Sequence, residues 1–459
     1  MGGRPRESGV VLITVDSLRY DAIGPEAAPA ISRLNRRGIS CEQAFVHGNW
    51  TPFSFPSILG PDHVFVGSGG IGLPDAPVLA EVLGADGIET GGFNAANGFL
   101  SRYWGYDRGF DEFDAFLGDT SDGVYSKYLA AHPTVQGWLQ WGAAGVRRRL
   151  WPFGSRTKPF VDTSKLIDVE RRATAFLDRV EGRFFLWVHY MDTHTPYLPA
   201  VQHLDNPTPL DWPRRLKTHL LAGLGRRMDE RSLDQLRTLY RGAVRQVDAS
   251  IDRLLAHLRS IGRRDVTTVV VTGDHGEEFQ EHGHLAHYPK LYEELVHVPL
   301  IVDSPNQGAS SIPGAVGLNA IPPTVMEALD VDIPAHFGGR SLFDPRSSDP
   351  VFSVTVRAET PTHQPIPRST AEGELVVSAR TDRWTYIRHS DSGLRELYDR
   401  NADPGETRDR WPELEGSSTV RRLEAATDTY LKRLESEGPA STTPVPESVT
   451  GRLSALGYQ

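Results

Sequence analysis

Three short apolar segments, each running straight into an acid or a histidine, constrain this chain more than any other feature. Val10-Val11-Leu12-Ile13-Thr14-Val15 ends at Asp16-Ser17. Phe184-Phe185-Leu186-Trp187-Val188 runs into His189 to His194, and Val266 to Val271 ends at Thr272-Gly273-Asp274-His275. β-Branched and aromatic runs without polar alternation describe strands buried on both faces, hence a parallel sheet covered by helices. Open sheets of that kind bind ligands just beyond the carboxyl ends of their strands. The three polar ends therefore predict one site along one sheet edge. Leu236 to Leu258 carries apolar residues at three-to-four spacing and predicts an amphipathic covering helix.

The 459 residues predict more than one folding unit. We expect residues 1–345 to form the α/β domain that carries the site, and 346–437 a smaller C-terminal α+β subdomain. The latter reads from short β-like runs (Val351 to Val354, Leu375 to Val377, Trp384 to Ile387) and a helix near Thr419 to Glu435; 438–459 is a tail. Inside the first domain, 123–161 reads as an insertion. It holds six basic residues and no acidic ones, with Trp138, Trp141 and Trp151 interleaved. Such a segment is either an amphipathic flap with a solvated basic edge or a lid that contacts an anionic or lipid-linked substrate, with peripheral membrane contact.

Lys and Arg total 49 against 59 Asp and Glu, a net charge of −10 that argues against a nucleic-acid partner. No apolar run approaches the length of a membrane span or a signal-peptide core, so the expected compartment is the cytoplasm. Cys41 is the single cysteine, which removes an intramolecular disulfide and a cysteine-based zinc site.

Asp16, Asp274 and His275, with Asp192 and His194 as further candidates, offer carboxylate and imidazole ligands suited to a divalent cation (Ca, Mg, Mn or Zn). A lone Asp after a strand commonly caps a helix instead. Asp274-His275-Gly276-Glu277 followed by Glu281-His282-Gly283-His284 and His287 is harder to read that way, because four histidines in thirteen residues are costly to pack as structure alone.

At this point the residues resemble a family. TVDSLRYDAIG, NWTPFSFPSILG, FFLWVHYMDTHTPYLP, VVVTGDHGEEFQEHGH, LYEELVHVPLIV and RELYDRNADPGE follow the order found in sulfatases of the alkaline phosphatase superfamily. The resemblance runs from about residue 8 to 412, apart from the insertion and part of 200–235. It implies a large α/β domain with a mixed, mostly parallel sheet flanked by helices, then a small C-terminal sheet with a packed helix. It also implies roles. Asp16 matches the first metal-binding aspartate, Asp274 and His275 the second metal loop, and His194 a histidine that contacts the substrate's anionic group. His287 stands where many sulfatases carry a sulfate-binding lysine.

Two departures stand out. Many sulfatases have paired acids after the first strand, whereas this chain has Asp16-Ser17, with Ser17 expected to cap the following helix. Sulfatases also mature a Cys or Ser into formylglycine in a setting that includes an arginine. Here Cys41 lies outside the matching stretch and the arginine is missing, so Thr51 is closest to the nucleophile position, with Ser54 the runner-up. Thr51 resembles the unmodified threonine of phosphodiesterase and phosphoglycerol-transferase relatives.

A threonine hydroxyl is a weak nucleophile that metal coordination activates, and a helix beginning at Thr51 adds positive potential beneath a tetrahedral anion. A formylglycine hydrate expels sulfate by collapsing to the aldehyde. A threonine ester has no such exit and needs attack at the central atom, which tilts the expectation towards phosphodiester or phosphoglycerol-type substrates. A true sulfatase acting on a sulfated glycan or small molecule is the alternative, and a non-catalytic anionic-glycan binder on the same fold a second. One metal ion is expected; Asp192, His194 and His287 offer a set for a second. His194 and His287 would neutralise charge on the ester, and His284 or His287 would protonate the leaving oxygen.

Overall fold

The computed structural model describes residues 8–66, 70–117, 162, 164–205, 217–218, 227–344, 350–357, 367–435 and 449. The 123–161 segment and nearly all of the 438–459 tail lie outside the described residues. Among the described residues, no helix is long and apolar enough to cross a membrane.

The three apolar segments are neighbouring strands. β1 (Gly9–Val15) lies between β5 (Phe184–Tyr190) and β6 (Thr267–Gly273), parallel to both, and all three are buried along their whole length. Gly9 pairs with Phe184 and Thr267, and Val15 with Tyr190 and Gly273, so the three carboxyl ends are level. The ladder reaches one residue further, with Asp16 N–H donating to Tyr190 O at 2.8 Å and Asp274 N–H to Val15 O at 3.2 Å. Register alone therefore brings Asp16, Met191 to His194, and Asp274-His275 to one edge.

Five more strands complete this sheet: β2 (Ile39–Phe45), β3 (Glu89–Asn94), β4 (Glu112–Asp114), β9 (His297–Asp303) and β10 (Ser310–Gly317). The order is β10-β2-β9-β6-β1-β5-β3-β4, with β9 antiparallel to both neighbours. Between β6 and β9, β7 (Glu278–Phe279) and β8 (Leu285–Ala286) form a two-stranded pair outside the sheet.

Side-chain alternation along β1 divides the core. Val10 and Leu12 face a layer that holds α2 (Thr51–Leu59), α3 (Leu79–Ala85) and Ile321–Ala328. Val11, Ile13 and Val15 face α1 (Pro29–Arg37), Leu166–Arg179 and the long helix Glu230–Ser260. That long helix exceeds the Leu236–Leu258 read from periodicity, because its polar first turn shows no apolar spacing. Asp229 caps it, accepting from Ser232 N–H at 2.8 Å. His189 also differs from expectation: it lies inside β5, paired with Thr14 and Asn94, not in the loop beyond it.

The C-terminal strands β11 (Val351–Arg357), β12 (Glu374–Arg380), β13 (Trp384–His389) and β14 (Arg395–Asp399) form an antiparallel meander. Helix Ser418–Glu435 packs on it through Val420, Leu423 and Tyr430, the last stacked on Phe352 at 4.5 Å. Backbone contacts join the two sheets, since Val354 N–H donates to His47 O at 3.0 Å and Gly48 bridges Val354.

Ion pairs join them too. Arg380, fully buried, donates to both carboxylate oxygens of Glu406 at 2.7 and 3.0 Å and to Glu293 at 3.1 Å. Arg400 reaches the same Glu293 at 3.2 Å. Glu406 accepts from Glu293 N–H, and its carbonyl lies 3.0 Å from His282 Nε2. The second imidazole nitrogen of His282 meets Glu294 at 2.7 Å. The C-terminal sheet thereby braces the loop between His275 and Glu293.

Candidate active site

Thr51 begins α2 at the edge where the three strands end. Its N-cap is Trp50, in an extended conformation, with no side-chain cap. Thr51 is therefore not the cap that a Thr-Pro pair suggests, and its hydroxyl is free to face the strand ends. Oγ1 lies 2.9 Å from Asp274 Oδ2, 3.3 Å from Asp16 Oδ2 and 3.5 Å from His275 Nε2. All four side chains are buried.

Asp16, Asp274 and His275 each offer one ligand atom within 4.8 Å of the others, as a metal ion requires. His275 Nδ1 is 2.8 Å from Gly276 O, an acceptor that forces Nδ1 to carry the proton. Nε2 is left as a lone pair facing Asp16 Oδ1 at 3.4 Å and Asp274 Oδ2 at 3.9 Å. Burial and the neighbouring Asp16 charge push the Asp274 carboxyl up to about 6. Burial pushes Asp16 the same way, but the imidazoles of His194, His189 and His275 hold it below the ordinary carboxylate range. Two carboxylates and an imidazole lone pair converging in a dry pocket repel one another unless a cation sits among them. The donor set fits a divalent ion.

Gly276 sets the next turn. A Cβ there would lie 1.9 Å from Glu294 O, so only glycine lets this backbone pass against Glu293–Val296, where Gly276 N–H donates to Leu295 O at 2.8 Å. Beyond it the loop returns His287 to the site. The His287 ring is 5.1 Å from that of His275 and 5.0 Å from that of His194. Its backbone is held from the Thr51 side, with His287 O accepting from Trp50 Nε1 at 2.6 Å and from Asn49 Nδ2 at 3.1 Å. Burial lowers the His287 imidazole to about 3 and lowers His194 as well. Without the ion, these two rings form a neutral wall.

Thr51, Asp16, Asp274, His275, His194 and His287 thus share one pocket. Ser54, buried one helical turn on, hydrogen-bonds to none of them. Asp192 does not join the two histidines: Gln246 from the long helix donates to its Oδ1, and burial pushes it up to about 7. The set considered for a second ion is therefore not assembled. Ser17 is no helix cap. Its φ of 57° turns its hydroxyl onto Asp16 Oδ1 at 3.1 Å and its N–H onto Asp274 Oδ1 at 3.1 Å.

Three residues at the site were not singled out from the sequence. Asn97 Nδ2 donates to Asp16 Oδ2 at 3.1 Å and to Thr51 Oγ1 at 3.4 Å, and Asn94 holds its backbone. It follows β3 and is a fourth polar strand end. Gly91 and Gly92 weaken the strand signal that would have marked it. His189 Nε2 lies 3.6 Å from Asp16 Oδ2. Glu277 is fully buried beside Ser17 and Tyr197, 3.8 Å from His287 Nδ1, and burial pushes it up to about 7. It sits inside the histidine-rich motif, where its neighbours drew the attention.

The sequence model of the sulfatase family matches residues 8–331. The chain belongs to the sulfatase family. Among curated relatives, this sulfatase-family chain is 30% identical over 184 residues to arylsulfatase K of Bos taurus, covering 39% of this chain and 33% of that one. It is 26% identical over 272 residues to the multifunctional alkaline phosphatase superfamily protein PehA of Trinickia caryophylli, covering 49% and 52%. The chain thus matches a third to a half of the length of these relatives. Solved structures share the fold. A protein in complex with its substrate D-glucosamine-2-N,6-O-disulfate aligns with a TM-score of 0.67 at 16% identity, over 95% of this chain and 100% of that one. The phosphonate monoester hydrolase of Agrobacterium radiobacter aligns with a TM-score of 0.66 at 17% identity, over 94% and 96%.

Proposed function

We propose that this sulfatase-family chain is a metal-dependent hydrolase or transferase that cleaves a sulfate or phosphate ester through Thr51. The observation that carries the reading is the Thr51 hydroxyl, buried 2.9 Å from Asp274 and within reach of Asp16 and His275. Asp16, Asp274, His275 and the Thr51 oxygen would hold a divalent cation, which would supply Lewis acidity to the ester and lower the pKa of the hydroxyl. The chain's own residues do the rest. Asp274 Oδ2 is the nearest acceptor for the Thr51 proton, and Asn97 Nδ2 orients Oγ1 from the opposite side. Neutral His287 can present an N–H group to the non-bridging oxygens, whereas His194, whose Nδ1 proton goes to Thr195 O at 2.6 Å, would donate from Nε2 only once protonated as the anion arrives. Oγ1 bonds to phosphorus or sulfur as the ester oxygen leaves, and water or an acceptor alcohol then attacks the same atom, releasing Thr51.

That second attack favours phosphorus, so a phosphodiester or phosphoglycerol-type substrate is our first reading. The kinship with a phosphonate monoester hydrolase fold agrees with it. A sulfated glycan is the second reading, supported by arylsulfatase relatives and by the disulfated sugar bound to the structural neighbour.

The test is turnover of aryl sulfate, aryl phosphate monoester and aryl phosphodiester by metal-supplemented protein, with Thr51→Ala and Ser54→Ala alongside. Diester turnover lost only in Thr51→Ala supports the first reading. Sulfate turnover that survives Thr51→Ala and disappears in Ser54→Ala overturns it.

A further inference from the structure

Beyond His287 the loop continues to a cationic corner that the chemistry above leaves unused. His284, exposed, stacks on Tyr288 at 3.8 Å, and the Tyr288 carbonyl is pinned by Asn49 Nδ2, two residues before Thr51. Two cations approach that Tyr288 ring, Lys290 Nζ at 5.6 Å and the Arg357 guanidinium at 5.8 Å. Lys290 is buried and its charge is answered, since Glu278 lies at 3.4 Å and His282 O accepts from it.

Arg357 is different. It ends β11, half-buried, and among the described residues no carboxylate lies within ion-pair distance. Its Nε is buried without a hydrogen-bond partner. Its cross-strand neighbour Glu374 is turned away, accepting from Ser392 N–H at 2.8 Å and facing His389 Nδ1 at 3.5 Å. A half-buried guanidinium beside a second cation, with no anion of its own among the described residues, is costly unless an anion arrives. Contact with the Tyr288 face accounts for part of its placement and leaves the N–H fork unanswered.

We propose that Arg357, beside the His284–Tyr288 stack, is a second anion subsite, so that the substrate is an ester carrying another anionic group. The shared chemistry is an oxyanion able to take a guanidinium fork, whether sulfate, phosphate or carboxylate. The inference rests on the metal-site reading above, because the first anion must sit at Thr51 for the second to reach Arg357. It gives the C-terminal sheet a role in choosing the substrate.

The probes are an alkyl monophosphonate and α,ω-alkane bisphosphonates of graded spacer length, titrated calorimetrically into manganese-loaded full-length protein. At one spacer length the bisphosphonate is expected to bind about tenfold tighter than the monophosphonate. Arg357→Ala should erase that gain and leave monophosphonate affinity unchanged, which also reports an intact fold. Asp274→Asn should weaken both ligands. No gain at any spacer, or equal losses for both ligands in Arg357→Ala, overturns the inference while the metal-site reading stands. A monophosphonate that does not bind the wild type sinks that reading and this inference together.

Discussion

Asp16 and Asp274 share a dry pocket with imidazoles, hydroxyls and an amide beside them but no Lys or Arg, whereas buried Glu406 and half-buried Glu293 are gripped by Arg380 and Arg400. Both clusters take carboxylates out of water, and the loop 276–292 connects them. The second carries its own counter-ions and ties the C-terminal sheet to the loop. The first has none among the described residues. Buried charge that serves structure comes with a partner already built in. Buried charge left short of one marks a place where something binds.

The contrast can be broken from either side. Thr51→Ala is expected to cost about a thousandfold or more in turnover on whichever aryl ester the wild type cleaves, with the thermal midpoint little changed. Persistent turnover would make the uncompensated pocket a structural oddity. Arg380→Met should cost about 3–5 kcal/mol in denaturant unfolding, because Glu406 then lies buried without its cation while Glu293 keeps Arg400. Adding Glu406→Gln should restore part of that loss, and no recovery would mean that the network matters for packing alone.

A third way of burying titratable groups sharpens the comparison. His47 and His63 stack at 3.7 Å beneath the C-terminal helix, with Tyr430 on His63 and Phe352 O on His47. Burial lowers His47 from 6.5 to about 4 and lowers His63 as well. The unfolded chain takes up protons first, so this stability is complete above pH 6.5 and is lost as pH falls towards 4. For His47 alone the loss is about 3 kcal/mol. A thermal midpoint followed from pH 7 to pH 4 should fall less steeply in His47→Gln, and identical slopes would remove the histidine from the account.

Metal addition gives the smallest shift. At a hundredfold excess over Kd, a divalent ion should stabilise the fold by about 2.7 kcal/mol. Asp274→Asn should abolish that shift and raise the midpoint of the metal-free protein, since one of two repelling carboxylates is gone. A lowered metal-free midpoint would show that the pair is not strained without its ion.

The sequence made the sheet readable because β1, β5 and β6 lack polar alternation, and the pocket because Asp16 and Asp274-His275 follow those strands directly. The same rule misled at Asp192, which stands one residue further beyond its strand than Asp16 or Asp274 and turns towards Gln246 on the covering helix. Nothing local to Asp192 encodes that long-range partner. Asn97 was hidden by the two glycines of β3, and the conformation of Ser17 by the ordinary look of an Asp-Ser pair. The Arg380–Glu406 pairing joins positions distant in sequence, and no periodicity links them.

Asn49 and Trp50, the two residues before Thr51, hold the carbonyls of His287 and Tyr288 through hydrogen bonds of 2.6 to 3.2 Å. The start of the threonine helix and the histidine wall opposite are therefore parts of one frame. Moving either carries the other with it, so the gap between them has a constant width. A substitution at Asn49 or Trp50 would then be felt at Thr51 and His287 together, although neither side chain touches either one's reactive atoms.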